Sequence, residues 1–240
     1  GFTRALNQGL ARSRGEYILV LNPDTVLQPG CLTVLLGVLA ERERVGVVAP
    51  QLLNPDGTVQ PSCRRFPRYR DVLFEASGLS RAFSGSRVFN GWKMGDFDHT
   101  TGRGVDQPQG ACLLFHRSVL TKVGLWDEGF PMFFSDVDWC RRVKHQGYEI
   151  WFEPTARVVH LQGRSIFQHR PRMIWSSHCS FYRYFKKYDG ISPANVLVGA
   201  VLFFSAIVRV AWHALFGRRG NRTRGRQPVL AAESTGTPTR

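Results

Sequence analysis

Residues 17–25 read Tyr-Ile-Leu-Val-Leu-Asn-Pro-Asp-Thr, an apolar run that ends in a polar turn. Five consecutive apolar residues are typical of a strand that is buried on both faces of a parallel sheet. The surrounding sequence predicts a helix at residues 2–14, another at 32–44 and a second buried strand at 45–49. Helices that alternate with buried strands predict an α/β fold, with a sheet flanked by helices.

Residues 54–108 depart from this regular pattern. They are rich in Gly, Pro, Arg and aromatic residues and show weak periodicity, so we expect loops and short elements that lie over the active face. Regular structure is predicted again from residue 111 onward. The predicted strands are 111–115, 149–152 and 157–160, and the predicted helices are 118–123, 135–147 and 173–188.

The composition of the 240 residues, 43% hydrophobic and 12% aromatic, is typical of a globular protein. The net charge of +14 suits anionic partners such as nucleotide diphosphates, lipid phosphates or nucleic acid. The five cysteines include no C-x-x-C pair, so we expect small buried thiols in a reducing cytosol rather than a zinc site or disulfides. The chain begins at Gly1, directly in a helical pattern, and we expect that a preceding segment is missing.

Residues 194–216 are strongly apolar and are interrupted by Arg209 and His213. As a helix this stretch would reach about 35 Å, enough for a bilayer core of roughly 30 Å. Arginines crowd the following residues 218–226, and basic residues beside an apolar helix favour the cytoplasmic side of a membrane. We expect a catalytic domain at 1–190, a membrane-associated or transmembrane helix at 193–217 and a basic disordered tail at 218–240. A helix buried within the globule is the alternative, and the sequence does not decide whether the helix spans the bilayer or lies flat.

Asp24 directly follows the first buried strand, and ligands of open α/β sheets bind beyond the carboxyl ends of strands. A carboxylate there can hold Mg²⁺ or Mn²⁺ against a diphosphate, because hard cations prefer oxygen ligands. An ordinary turn is the alternative, since Asn, Pro and Asp are the usual turn formers. His160, at the end of a later predicted strand, is a candidate metal ligand through its neutral imidazole. A lone His is more often a satisfied polar residue.

Two carboxylates stand at the start of the helix predicted from Ser135. Ser135 and Asp138 match the S-x-x-D capping box, which gives Asp138 a strong structural interpretation. Asp136 would occupy the first helical position, where the helix dipole favours an ionised carboxylate. An ionised carboxylate that faces a cleft can act as a general base toward a hydroxyl, although an ordinary first-turn acid is an equally good interpretation.

Two glycine-containing segments could allow a ligand to approach the backbone. Gly110 precedes the strand at 111–115 and permits either a close contact or a tight turn. Gly163 and Arg164 follow His160 and would allow a phosphate to approach closely. Surface charge is the alternative interpretation of Arg164.

The order and spacing of these motifs are much more specific than any one of them. Together they closely resemble the family 2 glycosyltransferases, and within them the rhamnosyltransferase-like branch of cell-surface polysaccharide enzymes. The resemblance covers residues 1–188. It rests on N-P-D-T at 22–25, Q-G-A-C-L-L-F-H-R at 109–117, G-L-W-D-E-G-F-P-M-F-F-S-D-V-D-W-C-R-R at 124–142 and G-Y-E-I-W-F-E-P-T-A-R-V-V-H-L-Q-G-R-S at 147–165.

The resemblance implies the GT-A fold, a Rossmann-like mixed α/β sheet flanked by helices, with the apolar helix added at the C-terminus. It also implies an inverting transfer of a sugar, with rhamnose as the expected sugar, from a nucleotide-diphosphate donor to a glycan or lipid-linked acceptor. We expect Mg²⁺ or Mn²⁺ as cofactor and the cytoplasmic face of the cell membrane as the location. The resemblance assigns the catalytic base to Asp136, metal binding to Asp24 and His160, donor binding to Asn7, Asn22 and Arg164, and acceptor binding to Gly110, Ala111 and Asp138.

Two positions depart from the family pattern, because Asn22 replaces an acidic residue and Ser135 replaces a Glu. A different class of function, a basic nucleic-acid-binding protein, would use aromatic residues such as Tyr69, Phe83 and Trp92. The basic residues are scattered and no nucleic-acid-binding motif is present, so we expect no nucleic-acid partner. A membrane-anchored interaction protein without catalytic activity is the second alternative.

Overall fold

The computed structural model describes residues 1–161 and 170–216. Its helices are α1 (Phe2–Arg12), α2 (Cys31–Glu41), α3 (Tyr69–Ser77), α4 (Leu79–Ala82), α5 (Arg117–Val123), α6 (Ser135–His145), α7 (Arg170–Asp189) and α8 (Pro193–Phe216). Its strands are β1 (Tyr17–Leu21), β2 (Thr25–Leu27), β3 (Val45–Leu53), β4 (Val59–Gln60), β5 (Cys63–Arg64), β6 (Arg103–Gly104), β7 (Gln107–Pro108), β8 (Cys112–His116) and β9 (Glu149–His160).

The main sheet is mixed and follows the order β1-β8-β3-β9-β2, with β4 beside β3 and β6 beside β9. Only the pair β3 and β9 is parallel among the described strands. The short strands β5 and β7 form a separate antiparallel pair. Helices flank this mixed sheet and an apolar helix follows at the C-terminal end, so the predicted fold class is confirmed.

The parallel pairing predicted for residues 17–21 is wrong. β1 runs antiparallel to β8, from Tyr17 opposite His116 to Leu21 opposite Cys112. Its two end residues, Tyr17 and Leu21, are each 40% exposed. An apolar run indicates that a strand is buried, but it does not indicate whether the neighbouring strand runs parallel or antiparallel to it. The apolar run at 17–21 therefore does not predict the direction of its partner strand.

The two short strands predicted at 149–152 and 157–160 form one strand, β9. Its pairing with β3 jumps from Pro50 opposite Glu153 to Gln51 opposite Arg157. The three residues in between, which include Pro154, bulge out of the ladder because a proline has no N–H to donate. The segment 54–108 also has more regular structure than predicted, since it contains α3, α4 and four short strands.

The two central strands β3 and β8 are buried on both faces. Val47 and Leu113 belong to the core cluster under α5 and α6, whereas Val48 and Leu114 belong to the cluster under α2. Alternate residues of a strand point to opposite faces, so a continuous apolar run fills both layers. All five cysteines are free, and four of them are buried as predicted, whereas Cys179 is exposed.

A third apolar cluster joins the C-terminal helices to the rest of the molecule. Val72 of α3, Phe181 and Phe185 of α7, and Val198 and Leu202 of α8 pack together in it. Residues Pro193–Trp212 of α8 are long and apolar enough to cross a membrane, by length and composition. One face of this helix nevertheless packs against α3 and α7.

Candidate active site

Asp136 lies in the first turn of α6, and protein donors hold both of its carboxylate oxygens. Oδ2 accepts hydrogen bonds from Gln107 Nε2 and from the Gly110 backbone N–H, each at 3.1 Å. Oδ1 accepts from the Val137 backbone N–H at 2.9 Å. A Cβ atom added to Gly110 would lie 3.1 Å from the Cβ of Asp136, so a glycine permits this close approach.

The environment of Asp136 suits a general base. Burial raises the pKa of its carboxyl, and the backbone hydrogen bonds from Gly110 and Val137 and the positive charge of Arg64 oppose this rise. Burial lowers the pKa of the Arg64 guanidinium, and the negative charge of Asp136 opposes that change. A carboxylate whose pKa is raised toward neutrality accepts a proton more readily than an ordinary Asp does.

Asp136 lies in the wall of a cleft of about 430 Å³, and three other predicted positions, Asn22, Gly110 and Ala111, line the same cleft. The Asn22 backbone N–H donates to the Ala111 carbonyl at 2.9 Å, which fixes the end of β1 beside the loop before β8. Sequence reasoning missed several polar residues of this wall. These are Arg64, Glu75, Lys93 and Gln107.

Most of the missed residues come from the segment 54–108, where periodicity is weak and folding brings distant positions together. The one usable signal was the position of Gln107, which precedes Gly110 by only three residues. Arg64 gave no such signal, because it approaches Asp136 only through the pairing of β5 with β7. Trp92, which sequence analysis offered as a nucleic-acid contact, lines this cleft instead.

The two predicted metal ligands, Asp24 and His160, lie side by side. β2 pairs with the end of β9 so that Thr25 is opposite His160, and the Leu161 backbone N–H donates to the Asp24 carbonyl at 2.8 Å. As a result, Asp24 Oδ1 and His160 Nε2 are 3.4 Å apart. The turn that carries Asp24 begins at Asn22, in the cleft wall that also holds Asp136.

The protonation of His160 makes this pair suitable for a cation. Burial lowers the pKa of the imidazole, and the charge of Asp24 and its hydrogen bond with the ring oppose the shift. The other ring nitrogen, Nδ1, is 2.8 Å from Gln60 Oε1, which is an acceptor, so Nδ1 carries the proton of the neutral ring. In this neutral ring the Nε2 lone pair faces a carboxylate oxygen, whereas a protonated Nε2 would donate to that oxygen. A bound metal ion would take the place of that proton and be held by Asp24 and His160.

Other oxygen atoms would complete a metal site. The Asn22 Oδ1 atom is buried and has no hydrogen-bond partner within the described ranges. No cluster of three or more His, Cys, Asp or Glu side chains that could hold a metal is present in residues 1–161 and 170–216. Mg²⁺ or Mn²⁺ held by one or two protein groups commonly takes its remaining ligands from substrate phosphates and water, so Asp24 and His160 fit such an ion.

The structure gives Asp138 a different role from either prediction. The capping box does not form, because the residue that caps α6 is Phe134, with φ 67°, and no side chain caps the helix. The Asp138 carboxylate is fully buried and is paired with Arg142 and Lys187. It also accepts from the Tyr188 hydroxyl at 2.8 Å. The Asp138 carboxylate is therefore occupied by partners within the protein, and acceptor binding by this residue stays a prediction.

Asn7 also has its side chain engaged by the protein itself. Its Nδ2 donates to the Trp126 carbonyl at 2.9 Å and to Glu128 Oε1 at 3.2 Å, and its Oδ1 accepts from the Trp126 N–H at 3.0 Å. The amide thus ties α1 to the loop before α6, and donor binding by Asn7 stays a prediction. Arg164, the third predicted donor-binding residue, lies outside the described residues.

Comparison with known proteins gives a consistent family. A sequence profile described as glycosyltransferase like family 2 matches residues 1–174. An N-acetylglucosaminyl-diphospho-decaprenol L-rhamnosyltransferase of Mycobacterium tuberculosis is 28% identical over 170 residues, which are 70% of this chain and 54% of that relative. The low-salt glycan biosynthesis hexosyltransferase Agl10 of Haloferax volcanii is 24% identical over 166 residues, 68% of this chain and 49% of that relative.

Among solved structures, the mannosyltransferase PcManGT from Pyrobaculum calidifontis, in complex with GDP-Man and Mn²⁺, matches at a TM-score of 0.47 and 16% identity. The match covers 90% of this chain and 55% of that chain.

The chain spans about half the length of the two curated relatives, 54% and 49%. Because the family profile covers well over half of the sequence, residues 1–174, the chain belongs to glycosyltransferase family 2, with relatives of the rhamnosyltransferase type.

Proposed function

We propose that this chain carries the catalytic site of an inverting glycosyltransferase that uses a nucleotide-diphosphate sugar. The acceptor is a hydroxyl of a lipid-linked or cell-surface glycan, and the reaction takes place at the cytoplasmic surface of the membrane. The observation that carries the proposal is the position of Asp136. Its carboxylate lies in the wall of a cleft that also holds Asn22. Asp24, which contacts His160, follows Asn22 by two positions in the same turn.

In the proposed reaction, Asp136 is the catalytic base. An ionised carboxylate offers about four lone-pair sites, and Gln107, Gly110 and Val137 occupy three of them. The site left on Oδ1 accepts the proton of the acceptor hydroxyl. That oxygen then forms a bond to the anomeric carbon of the donor sugar as the bond from this carbon to the diphosphate oxygen breaks. A single displacement inverts the configuration.

We assign the metal site to Asp24 and His160, with Mg²⁺ or Mn²⁺ as the ion. Such an ion supplies positive charge to the departing diphosphate. Arg64 lines the cleft and supplies positive charge near Asp136, whereas the charge of Lys93 is paired with Glu75 of the same wall. The name of the M. tuberculosis relative supports rhamnose as the sugar and a diphosphate-linked lipid as the acceptor.

Replacement of the base tests the proposal. We expect Asp136→Asn to lower turnover by roughly 10²-fold or more, the usual scale for a general base, while donor binding is retained. The assay uses the protein from its complete reading frame, a panel of nucleotide sugars, a membrane extract as acceptor, and reactions with and without Mg²⁺ or Mn²⁺. Product is followed by transfer of labelled sugar.

The control is Asp98→Asn, because Asp98 is an exposed acid whose hydrogen bonds within the described residues are to Thr100 in its own turn. This variant should keep full activity. If Asp136→Asn turns over within a few-fold of the unmodified protein, Asp136 is not the base. If the unmodified protein turns over no nucleotide sugar, the alternative of a membrane-anchored interaction protein without catalytic activity becomes the better explanation.

A further inference from the structure

Helix α8 is bound to the catalytic domain along one face. Its buried residues Asn195, Val198, Leu202 and Ala206 recur at intervals of three and four, which places them on one side of the helix. A Cβ atom added to Gly199 would lie only 2.8 Å from the ring of Tyr182 on α7. The helices α7 and α8 are therefore packed in close contact rather than loosely associated.

Polar contacts also fix α8 at several points along its length. Near its start, Asn195 Nδ2 donates to the Gly190 carbonyl at 2.6 Å. Farther along, His178 Nε2 on α7 lies 3.4 Å from Ser205 Oγ. Arg209 donates to the Glu75 carbonyl at the end of α3 at 3.1 Å. A rigid attachment over fifteen residues, from 195 to 209, means that α8 moves with the domain.

The opposite face of α8 is apolar and exposed. Between half and three quarters of each of these residues is exposed: Leu197, Phe203, Phe204, Val208, Trp212 and Leu215. Trp175 of α7, 45% exposed, extends the face and contacts the Phe203 ring at 5.7 Å between centroids. A contiguous exposed apolar face marks an interaction surface.

A spanning orientation conflicts with the packing. Because α7 lies against α8, a membrane that enclosed α8 would also enclose the exposed charges of α7, including Arg172, Arg183 and Lys186. Charged side chains facing lipid at the bilayer centre are strongly unfavourable. A helix that is packed on one face and apolar on the other instead suits the interface plane of a membrane.

We propose that α8 lies in the plane of an anionic lipid bilayer, with the face around Phe204 and Val208 inserted among the acyl chains and the opposite face on the domain. Charge supports lipid as the occupant, because the net charge is +14 and the residues 218–226 directly after α8 are rich in arginine. Basic segments beside an inserted helix are attracted to anionic headgroups. The inference rests on the membrane partner of the proposed function but not on its chemistry.

The orientation has a consequence for the acceptor. A small cavity of about 110 Å³ lies between α3, α7 and α8, and it is lined by Leu202, Ser205 and Arg209. The cavity shares Glu75, Trp92 and Ser177 with the cleft of Asp136. An in-plane α8 therefore places this end of the cleft directly beside the helix that lies at the bilayer surface, close to where a lipid-linked acceptor would be presented.

Vesicle binding and depth measurement test this proposal. The probe is a vesicle of phosphatidylcholine with about one third phosphatidylglycerol. We expect the double variant Phe204→Asp/Val208→Asp to bind at least 10-fold more weakly than the unmodified protein. Phe83→Asp changes a residue that is 52% exposed outside this face, and it should bind normally. Asp136→Asn should also bind normally, so loss of the chemistry and loss of docking are separate results.

Single cysteines at positions 197, 204 and 215, in a Cys179→Ser background, carry a fluorophore for quenching by lipids labelled at known depths. In-plane docking predicts the same shallow depth at all three positions. A spanning helix would separate 197 and 215 by about 27 Å of depth, at 1.5 Å per residue, and would overturn the proposal. A soluble dimer that the double variant converts to a monomer, without vesicle binding by the unmodified protein, would also overturn it.

A second inference concerns Gln60 and is carried by a separate chain of hydrogen bonds. The Asp56 carboxylate, whose pKa is lowered by hydrogen bonds from Thr58, accepts from the Thr58 hydroxyl at 2.6 Å. Thr58 Oγ1 therefore accepts from Asn54 Nδ2 at 2.9 Å. Asn54 Oδ1 in turn accepts from Gln60 Nε2 at 3.0 Å. Because each hydroxyl or amide group in this chain uses one end as donor and the other as acceptor, each hydrogen bond determines which atom donates in the next one.

The end of this chain is His160. With its Nε2 donating to Asn54, Gln60 must present Oε1 to His160 Nδ1, 2.8 Å away. We infer that Gln60 is a positioning residue that holds His160 in the tautomer with a free Nε2 lone pair toward Asp24. Such outer partners of a metal-binding His orient the ring, and their loss commonly weakens metal binding 10–100-fold. This inference rests on the metal site of the proposed function.

Metal affinity tests the role of Gln60 without an activity assay. Mn²⁺ is added to the protein in the presence of dTDP, which serves as the nucleoside diphosphate probe, and the Mn²⁺ that stays free is measured by electron paramagnetic resonance. We expect Gln60→Leu to weaken Mn²⁺ binding roughly 10–100-fold and Gln60→Glu, which keeps an acceptor oxygen, to stay within a few-fold. Gln51→Leu is the control, because Gln51 is a buried glutamine bonded to the His99 carbonyl.

Equal Mn²⁺ affinity in Gln60→Leu and the unmodified protein would overturn the inference, as would an equal loss in Gln51→Leu or in Gln60→Glu. Circular dichroism of each variant verifies that it is folded. If the unmodified protein binds no Mn²⁺ and yet transfers sugar, the metal site itself is wrong, whereas the assignment of Asp136 stands.

Discussion

The two carboxylates proposed to act in this site, Asp136 and Asp24, stand in opposite states of hydrogen bonding. Asp136 is held by three protein donors, whereas Asp24 Oδ1 faces the lone pair of His160 Nε2 at 3.4 Å. The first arrangement fixes a carboxylate in place and leaves one site to take a proton. The second leaves negative charge and a lone pair uncompensated, which is what a cation requires. The same residue type is thus prepared for two different tasks by its neighbours.

The largest expected effect on turnover, and on the difference between the two carboxylates, is that of Asp24→Ala. Removal of the carboxylate should lower turnover by roughly 10²–10³-fold, the scale for loss of one charge-stabilising group, and the residual activity should no longer respond to Mn²⁺. The measurement is turnover as a function of Mn²⁺ concentration. Turnover that is still stimulated by the metal in this variant would show that Asp24 is not a ligand.

A smaller effect is expected from Gly110→Ala, which acts on the base and not on the metal pair. The added Cβ would meet Asp136 Cβ at 3.1 Å and displace the carboxylate, so we expect kcat to fall roughly 10-fold through misplacement of the reacting group. Gly104→Ala is the matched control, because a Cβ there meets nothing within 4 Å. Mn²⁺ affinity should be unchanged in both variants, and a loss of affinity in Gly110→Ala would contradict the separation of the two regions.

The smallest expected effect is a change in pH dependence. Since burial raises the pKa of Asp136 and the charge of Arg64 opposes that rise, Arg64→Gln should raise the pKa further. Asp136 must be ionised to act as a base, so the acidic limb of the kcat/KM profile should move to higher pH. Arg44→Gln, which removes an arginine paired with Glu149 elsewhere, should leave the limb in place. A limb that moves to lower pH in Arg64→Gln would contradict the assignment.

The sequence predicted those parts of the molecule that depend on local patterns. Continuous apolar runs predict the strands at 17–21 and 45–49. The expected burial on both faces holds for β3 but not for β1, whose residues Tyr17 and Leu21 are exposed. Asn22, Gly110, Ala111 and Asp136 were identified by their resemblance to a family, and the structure brings all four to one cleft. Local patterns sufficed because these residues lie at the ends of regular elements.

The remaining features depend on contacts between distant residues. Asp138 resembled a helix cap, but its partners Lys187 and Tyr188 lie about fifty positions away, where no local pattern could connect them. Arg64 and Gln60 reach the site only through strand pairing and hydrogen bonds within the irregular segment 54–108. Strand direction, as in β1, is likewise set by the whole sheet and not by hydropathy.

The measurement that tests the central claim most directly is a paired titration of Asp136→Asn and Asp24→Ala with Mn²⁺ and dTDP, alongside turnover of each variant. The account predicts that Asp136→Asn keeps the Mn²⁺ affinity of the unmodified protein and loses turnover, whereas Asp24→Ala loses both. Loss of Mn²⁺ affinity in Asp136→Asn, or full affinity in Asp24→Ala, would contradict the division of this site into a base and a metal pair.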